Sequence, residues 1–228
     1  MASTMDAEII LGDALNLLDG IKGGTIDCLF TSPDPPKTGS DLMRLQFIFE
    51  KVRRVMHPRG VIWVHMGDFH NQDGTLEQMP QRFALHMTGQ LNWLKRSEII
   101  WHRAISQQDA QRSREDSNRF IRNYDYIMMF TASRYGYYFE NNSLFSLSSV
   151  ITEAYQIPHP GEFESGFPES IIASCICISC PEGGTVLDPF AGTGTTGLVA
   201  LKIGRKFIGF DKDAGKVVKI RQRLGNLS

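Results

Sequence analysis

Short runs of β-branched, aromatic and other apolar residues recur along the chain at Ile26–Phe30, Val61–Val64, Ser97–Trp101, Tyr126–Phe130, Thr185–Leu187 and Lys206–Phe210. Each is bounded by Gly, Pro or charge, which predicts strands. Between several of them, apolar residues return every three or four positions. Leu45, Ile48, Val52 and Val55 share one face of a helix that must end before Pro58 and Gly60, and Phe83, Met87 and Leu91 line a second. Glu169–Ser179, Thr195–Ile203 and Ala214–Leu224 carry three more. Strands alternating with helices predict an α/β fold with a parallel or mostly parallel sheet covered on both faces. Two stretches follow neither period: Gly67–Pro80 and the polar, Gln/Arg-rich Ser106–Asn123. Long loops inside an α/β domain are more often functional than idle.

A chain of 228 residues can bury a sizeable core, and it is read as a single domain over 1–228. No apolar run approaches the 18 or so residues that cross a bilayer. The N-terminus shows no basic stretch followed by an apolar one, so the cytoplasm is the expected location. Four cysteines do not make a disulfide framework. Cys28, inside an apolar strand, is expected to be a core thiol, and Cys175, Cys177 and Cys180 are spaced for packing rather than for zinc. A formal charge of -1 excludes a wholly basic nucleic-acid coat. The charge is nonetheless uneven: Lys95–Arg122 holds seven basic residues against four acidic, and the remainder holds 17 against 21. A polyanion would meet one preferred face.

The sharpest local signal is Val186-Leu187-Asp188-Pro189-Phe190-Ala191-Gly192-Thr193-Gly194-Thr195-Thr196-Gly197. A strand ends in an acid, two glycines let the backbone turn tightly beside a ligand, and a helix starts near Thr195. The lysine of a triphosphate-binding loop is absent. The next strand ends at Asp211, where a carboxylate can accept both hydroxyls of a ribose. These features predict a nucleoside-containing cofactor, and on the loop alone NAD and S-adenosyl-L-methionine both stay open. At a second strand end, Thr31-Ser32-Pro33-Asp34-Pro35-Pro36 forms a proline-stiffened loop rich in hydrogen-bond acceptors, suited to an amino group or to nothing more than a rigid turn.

Together these loops resemble those of the DNA amino-methyltransferases, in the branch whose target-amine loop precedes the cofactor loop. That family carries Ser-Pro-Pro-Tyr or Asp-Pro-Pro-Tyr where this chain has Ser32-Pro33-Asp34-Pro35-Pro36, and its cofactor loop and tail match Asp188–Gly197 and Leu201–Asp211. Gly12-Asp13, His65-Met66-Gly67-Asp68, Asn123-Tyr124-Asp125-Tyr126-Ile127 and Phe167-Pro168-Glu169 extend the likeness over nearly the whole chain. The resemblance implies a single Rossmann-like methyltransferase domain of permuted motif order with S-adenosyl-L-methionine as cofactor. Its contacts would come from Asp13, Thr31, Phe167, Asp188, Pro189, Phe190, Gly192, Gly194, Thr195, Thr196 and Asp211. Ser32, Pro33, Asp34 and Pro35 would hold the amine. The loop over 103–123 would face DNA, with Lys37, Arg103, Arg112, Arg114, Arg119 and Arg122 on the nucleic acid.

A duplex hides an exocyclic amine, so the target base must be flipped out or single-stranded. Ser32 and Gly67-Asp68 favour cytosine N4, while Asp34-Pro35-Pro36 favours adenine N6. The family's stacking aromatic after the prolines is replaced by Lys37, with Phe69 or Tyr135 as substitutes from elsewhere. That departure keeps two alternatives open: methylation of RNA or a small amine, and a DNA-binding protein that has lost catalysis. A homodimer and a cognate restriction endonuclease are the further partners the family suggests.

Overall fold

The computed structural model describes residues 6–104, 122–140, 148–154 and 167–225. Eight strands form one sheet: β1 (Ala7–Leu11), β2 (Ile26–Thr31), β3 (Met56–Met66), β4 (Leu94–Ala104), β5 (Tyr124–Thr131), β6 (Val150–Ala154), β7 (Thr185–Asp188) and β8 (Lys206–Asp211), in the order β1-β8-β7-β2-β3-β5-β4-β6. Only β5 runs against the rest, pairing antiparallel with β3 and β4. The expected mostly parallel sheet is therefore present. All six anticipated strands occur, lengthened at one or both ends. Two more were not anticipated. β1 and β6 are the edges, and their half-exposed positions lack the dense apolar run that marks a central strand.

Six α-helices are described: α1 (Ala14–Leu17), α2 (Gly39–Val55), α3 (Met79–Gly89), α4 (Glu169–Ser179), α5 (Thr195–Lys202) and α6 (Ala214–Gly225). α2 buries Leu45, Ile48, Phe49, Val52 and Val55, the stripe its spacing predicted, and gives way to β3 just before Pro58. In α3, Phe83 and Met87 are buried as expected, but the helix ends at Gly89, leaving Leu91 beyond it.

Alternation along the central strands divides the core in two. Leu29, Ile62 and Val64 join α1, α2 and α3 on one face; Cys28, Phe30, Val61 and Trp63 join α4, α5 and α6 on the other. Burial pushes the thiols of Cys28, Cys175 and Cys180 up, that of Cys28 to about 12, as befits packing residues rather than nucleophiles. The chain leaves β2 toward α2 and leaves neighbouring β7 toward α5, on opposite faces. A crevice must open where the connections diverge, at the C-terminal ends of these strands. Among the described residues, no helix is long and apolar enough to cross a membrane.

Candidate active site

The two loops singled out by the sequence meet in that crevice. β2 and β7 pair in parallel, and at their tips the Thr31 hydroxyl donates to Asp188 Oδ1 at 2.6 Å. A cavity of about 410 Å³ opens beyond them, lined by Ser32–Lys37 on one side and by Pro189, Phe190, Gly192 and Asp211 on another. Gly12 and Asp13, after β1, complete the adjoining wall.

Each wall is fixed by local chemistry. Thr38 and Asp41 form a capping box at the start of α2, and Asp41 also accepts from the Lys37 amide, so the proline loop runs into a helix with satisfied donors. Opposite, Gly192 takes a left-handed φ of +55° and its amide donates to Asp211 Oδ2 at 3.0 Å, while Asp211 Oδ1 accepts from the Asp213 amide at 2.8 Å. The Asp211 carboxylate is thus held at the cavity wall. Asp13 caps α1 by accepting from the Leu15 amide at 2.9 Å and pairs with Arg44 of α2. Burial opposes ionisation of Asp13, but the Leu15 amide and the Arg44 guanidinium outweigh it and hold its carboxyl below the ordinary value.

Other predicted cofactor residues stand behind the cavity. Thr31, Asp188, Thr195 and Thr196 are buried, Gly194 is the left-handed residue before α5 at φ +75°, and Phe167 packs edge-on against Phe30 and His65. None of these lines the cavity; they hold those that do. Asp188 accepts from Thr31 and from the Phe190 amide, fastening both loops to one carboxylate.

Burial, only partly offset by these bonds, pushes the Asp188 carboxyl up from 3.8 to about 6. A raised carboxyl value means that the folded protein binds the proton more tightly than the unfolded chain, so this group's stabilising contribution is complete below pH 3.8 and is lost as pH rises through 6. The difference corresponds to about 3 kcal/mol. Urea unfolding of the parent and Asp188→Asn should show the variant gaining about that much relative to the parent between about pH 3.5 and 7. A difference independent of pH contradicts the assignment.

On the nucleic-acid side, Lys37 lies at the cavity mouth. Arg112, Arg114 and Arg119 lie outside the described residues. Arg103 and Arg122, expected on phosphates, turn inward instead: Arg122 meets Asp125 Oδ1 at 2.6 Å and Arg103 lies 3.5 Å from Oδ2. A carboxylate on a strand this deeply buried must be neutralised, and these guanidinium groups do so. Tyr135 cannot replace the missing aromatic. It follows the reversed β5, whose end pairs with Val61 at the start of β3, and so lies at the far end of the sheet from the site. Phe69 packs against the core, and the neighbouring Asp68 accepts from the amides of Phe69, Gln78 and Met79, seating α3.

The sequence reading missed His65 and Asp125 as site residues. His65 Nδ1 lies 2.7 Å from Ser32 Oγ. The available signals were a lone histidine at the end of an apolar strand and an acid breaking into another.

A family model described as DNA methylase, for N6/N4 methyltransferases, matches residues 42–220. The chain belongs to the DNA methylases. Among its relatives, the Type II methyltransferase M.SmaI of Serratia marcescens is 24% identical, the alignment covering 95% of this methylase and 90% of that protein. M.Cfr9I of Citrobacter freundii is also 24% identical, over 90% and 83% of the two chains. The fold is that of PvuII DNA methyltransferase (cytosine-N4-specific), with a TM-score of 0.85 at 16% identity over 95% of this methylase and 86% of that chain. The TTHA0409 modification methylase of Thermus thermophilus, complexed with S-adenosyl-L-methionine, superposes with a TM-score of 0.74 at 19% identity, over 96% and 94%.

Proposed function

We propose that this methylase transfers a methyl group from S-adenosyl-L-methionine to the N4 amine of cytosine in DNA. The observation that carries this reading is the convergence of the Ser32 loop and the Gly192–Asp211 pair on one cavity, with their strand tips tied by Thr31 and Asp188. The cavity residues fit the cofactor: Gly192 lets backbone approach closely, Asp211 offers carboxylate oxygens to ribose hydroxyls, and Asp13 adjoins them as an acceptor for an adenine amine. The family's solved members, including one complexed with that molecule, support the same donor.

S-adenosyl-L-methionine supplies an electrophilic methyl on a sulfonium. The protein must orient a weakly nucleophilic amine, whose lone pair is delocalised into the base. Ser32 Oγ, the Pro33 carbonyl and the Asp34 carboxylate are acceptors on a loop that prolines hold stiff, and they favour positive charge developing on that nitrogen. Cytosine is preferred because a serine hydroxyl opens the motif and is engaged by His65. The likeness to the cytosine-N4-specific PvuII enzyme supports this choice.

DNA incubated with the protein and S-adenosyl-L-methionine, digested to nucleosides and separated by mass, should yield N4-methyldeoxycytidine. N6-methyldeoxyadenosine would move the target to adenine. Salt-sensitive DNA binding without a methylated product would identify a protein that kept the fold and lost the reaction.

A further inference from the structure

The Ser32 hydroxyl is the first member of a chain of polar groups that runs inward from the cavity. His65 is at the C-terminal end of β3, the neighbour of β2, and its Nδ1 lies 2.7 Å from Ser32 Oγ. Its far nitrogen, Nε2, is 3.5 Å from Asp125 Oδ2 on β5 and has no closer hydrogen-bond partner. The ring is held by aromatic neighbours, with Phe167 at 4.7 Å and Trp101 at 5.8 Å between centroids. Its side chain is 14% exposed and that of Asp125 is 7% exposed. Gly67 makes room for the pair, since a Cβ there would come within 2.9 Å of Asp125 Oδ1.

We propose that Ser32, His65 and Asp125 form a proton relay, in which His65 receives, through the Ser32 hydroxyl, the proton that the methylated amine must lose. The inference rests on the amine-methylation reading above and assigns positioning roles to His65 and Asp125. In the transfer, the amine lone pair forms the new C–N bond and the S–CH3 bond breaks, its electron pair staying on sulfur as a thioether. The nitrogen then carries one proton too many. It passes that proton to Ser32 Oγ as the hydroxyl proton moves to His65 Nδ1, and the imidazolium so formed faces the Asp125 carboxylate until solvent takes the proton. No other reactant is consumed.

The charges around the ring suit this task. They are Asp125 from β5, Arg103 from β4 and Arg122 just ahead of β5; β2 contributes the Ser32 hydroxyl that follows it, while Trp101 and Phe167 bring uncharged rings. Burial opposes ionisation of Asp125, yet His65 and the two guanidinium groups hold its carboxyl below the ordinary value, so the proton comes to rest on the imidazole. A carboxylate at Nε2 also fixes the tautomer that leaves Nδ1 free to accept.

The test is single-turnover methyl transfer to duplex DNA, across pH, by the parent, His65→Gln, Ser32→Ala and the double variant. Glutamine can accept a hydrogen bond from Ser32 but cannot hold the proton. His65→Gln should slow transfer by about 10²- to 10³-fold and abolish the fall in rate on acidification that comes from protonating the imidazole, while cofactor affinity is unchanged. The double variant should be no slower than the slower single one. Transfer within threefold of the parent, an unchanged pH profile or losses that multiply would overturn the relay. Independently of any variant, ¹⁵N shifts of the parent should place the neutral ring's proton on Nε2, and a proton on Nδ1 overturns it equally. A parent that methylates no base amine overturns the functional reading itself, and the relay with it.

Discussion

Asp211→Ala should weaken S-adenosyl-L-methionine binding by about 3 kcal/mol or more, a hundredfold or greater rise in Kd. Two losses combine in this one residue. Its carboxylate is at the cavity wall, where it can accept both ribose hydroxyls, and hydrogen bonds to a charged acceptor contribute about 1.5–3 kcal/mol each. The same carboxylate holds the Gly192 amide at 3.0 Å and the Asp213 amide at 2.8 Å, so its removal also releases the left-handed turn that shapes the pocket. Titration calorimetry measures the loss. Transfer from the saturated enzyme should stay within a few-fold of the parent, because Asp211 does not belong to the loop that holds the amine. Unchanged affinity would remove the ribose-binding role.

Ser32→Ala should do the reverse. An acceptor aimed where charge develops contributes about 2–4 kcal/mol to the barrier, so kcat should fall by about 30- to 1,000-fold. The methyl donor should bind within threefold of its parent affinity, because the hydroxyl faces the cavity from the proline loop while the glycine turn stays pinned by Asp211. Alanine preserves the loop, whose shape comes from Pro33, Pro35, Pro36 and the capping box at Thr38 and Asp41. Equal losses in kcat and affinity would contradict this division of labour between the two loops.

The elements that place these residues were legible wherever burial writes itself into sequence. Central strands β2, β3 and β5 are near-continuous apolar runs, and α2 carries its stripe at Leu45, Ile48, Val52 and Val55. Edge strands β1 and β6 leave no such trace. Both loops of the site were legible because glycine and proline have few structural uses. The relay was not, because Asp125 reaches His65 only through the antiparallel register that sets His65 against Ile127, and no local pattern encodes the pairing of distant strands. Arg103 and Arg122 failed as phosphate contacts for the same reason: composition gives their charge, whereas only the fold reveals the buried carboxylate that claims it.

The central claim is that the two strand tips build a single reaction site. Its most direct measurement is a crystal structure of the protein with duplex DNA and sinefungin, an analogue that cannot transfer a methyl group. The account predicts the analogue's ribose on Asp211 and a flipped cytosine whose N4 lies within about 3.5 Å of both Ser32 Oγ and the analogue's amine. A base bound away from the Ser32 loop, or an analogue bound outside the cavity walled by Gly192 and Asp211, would contradict it.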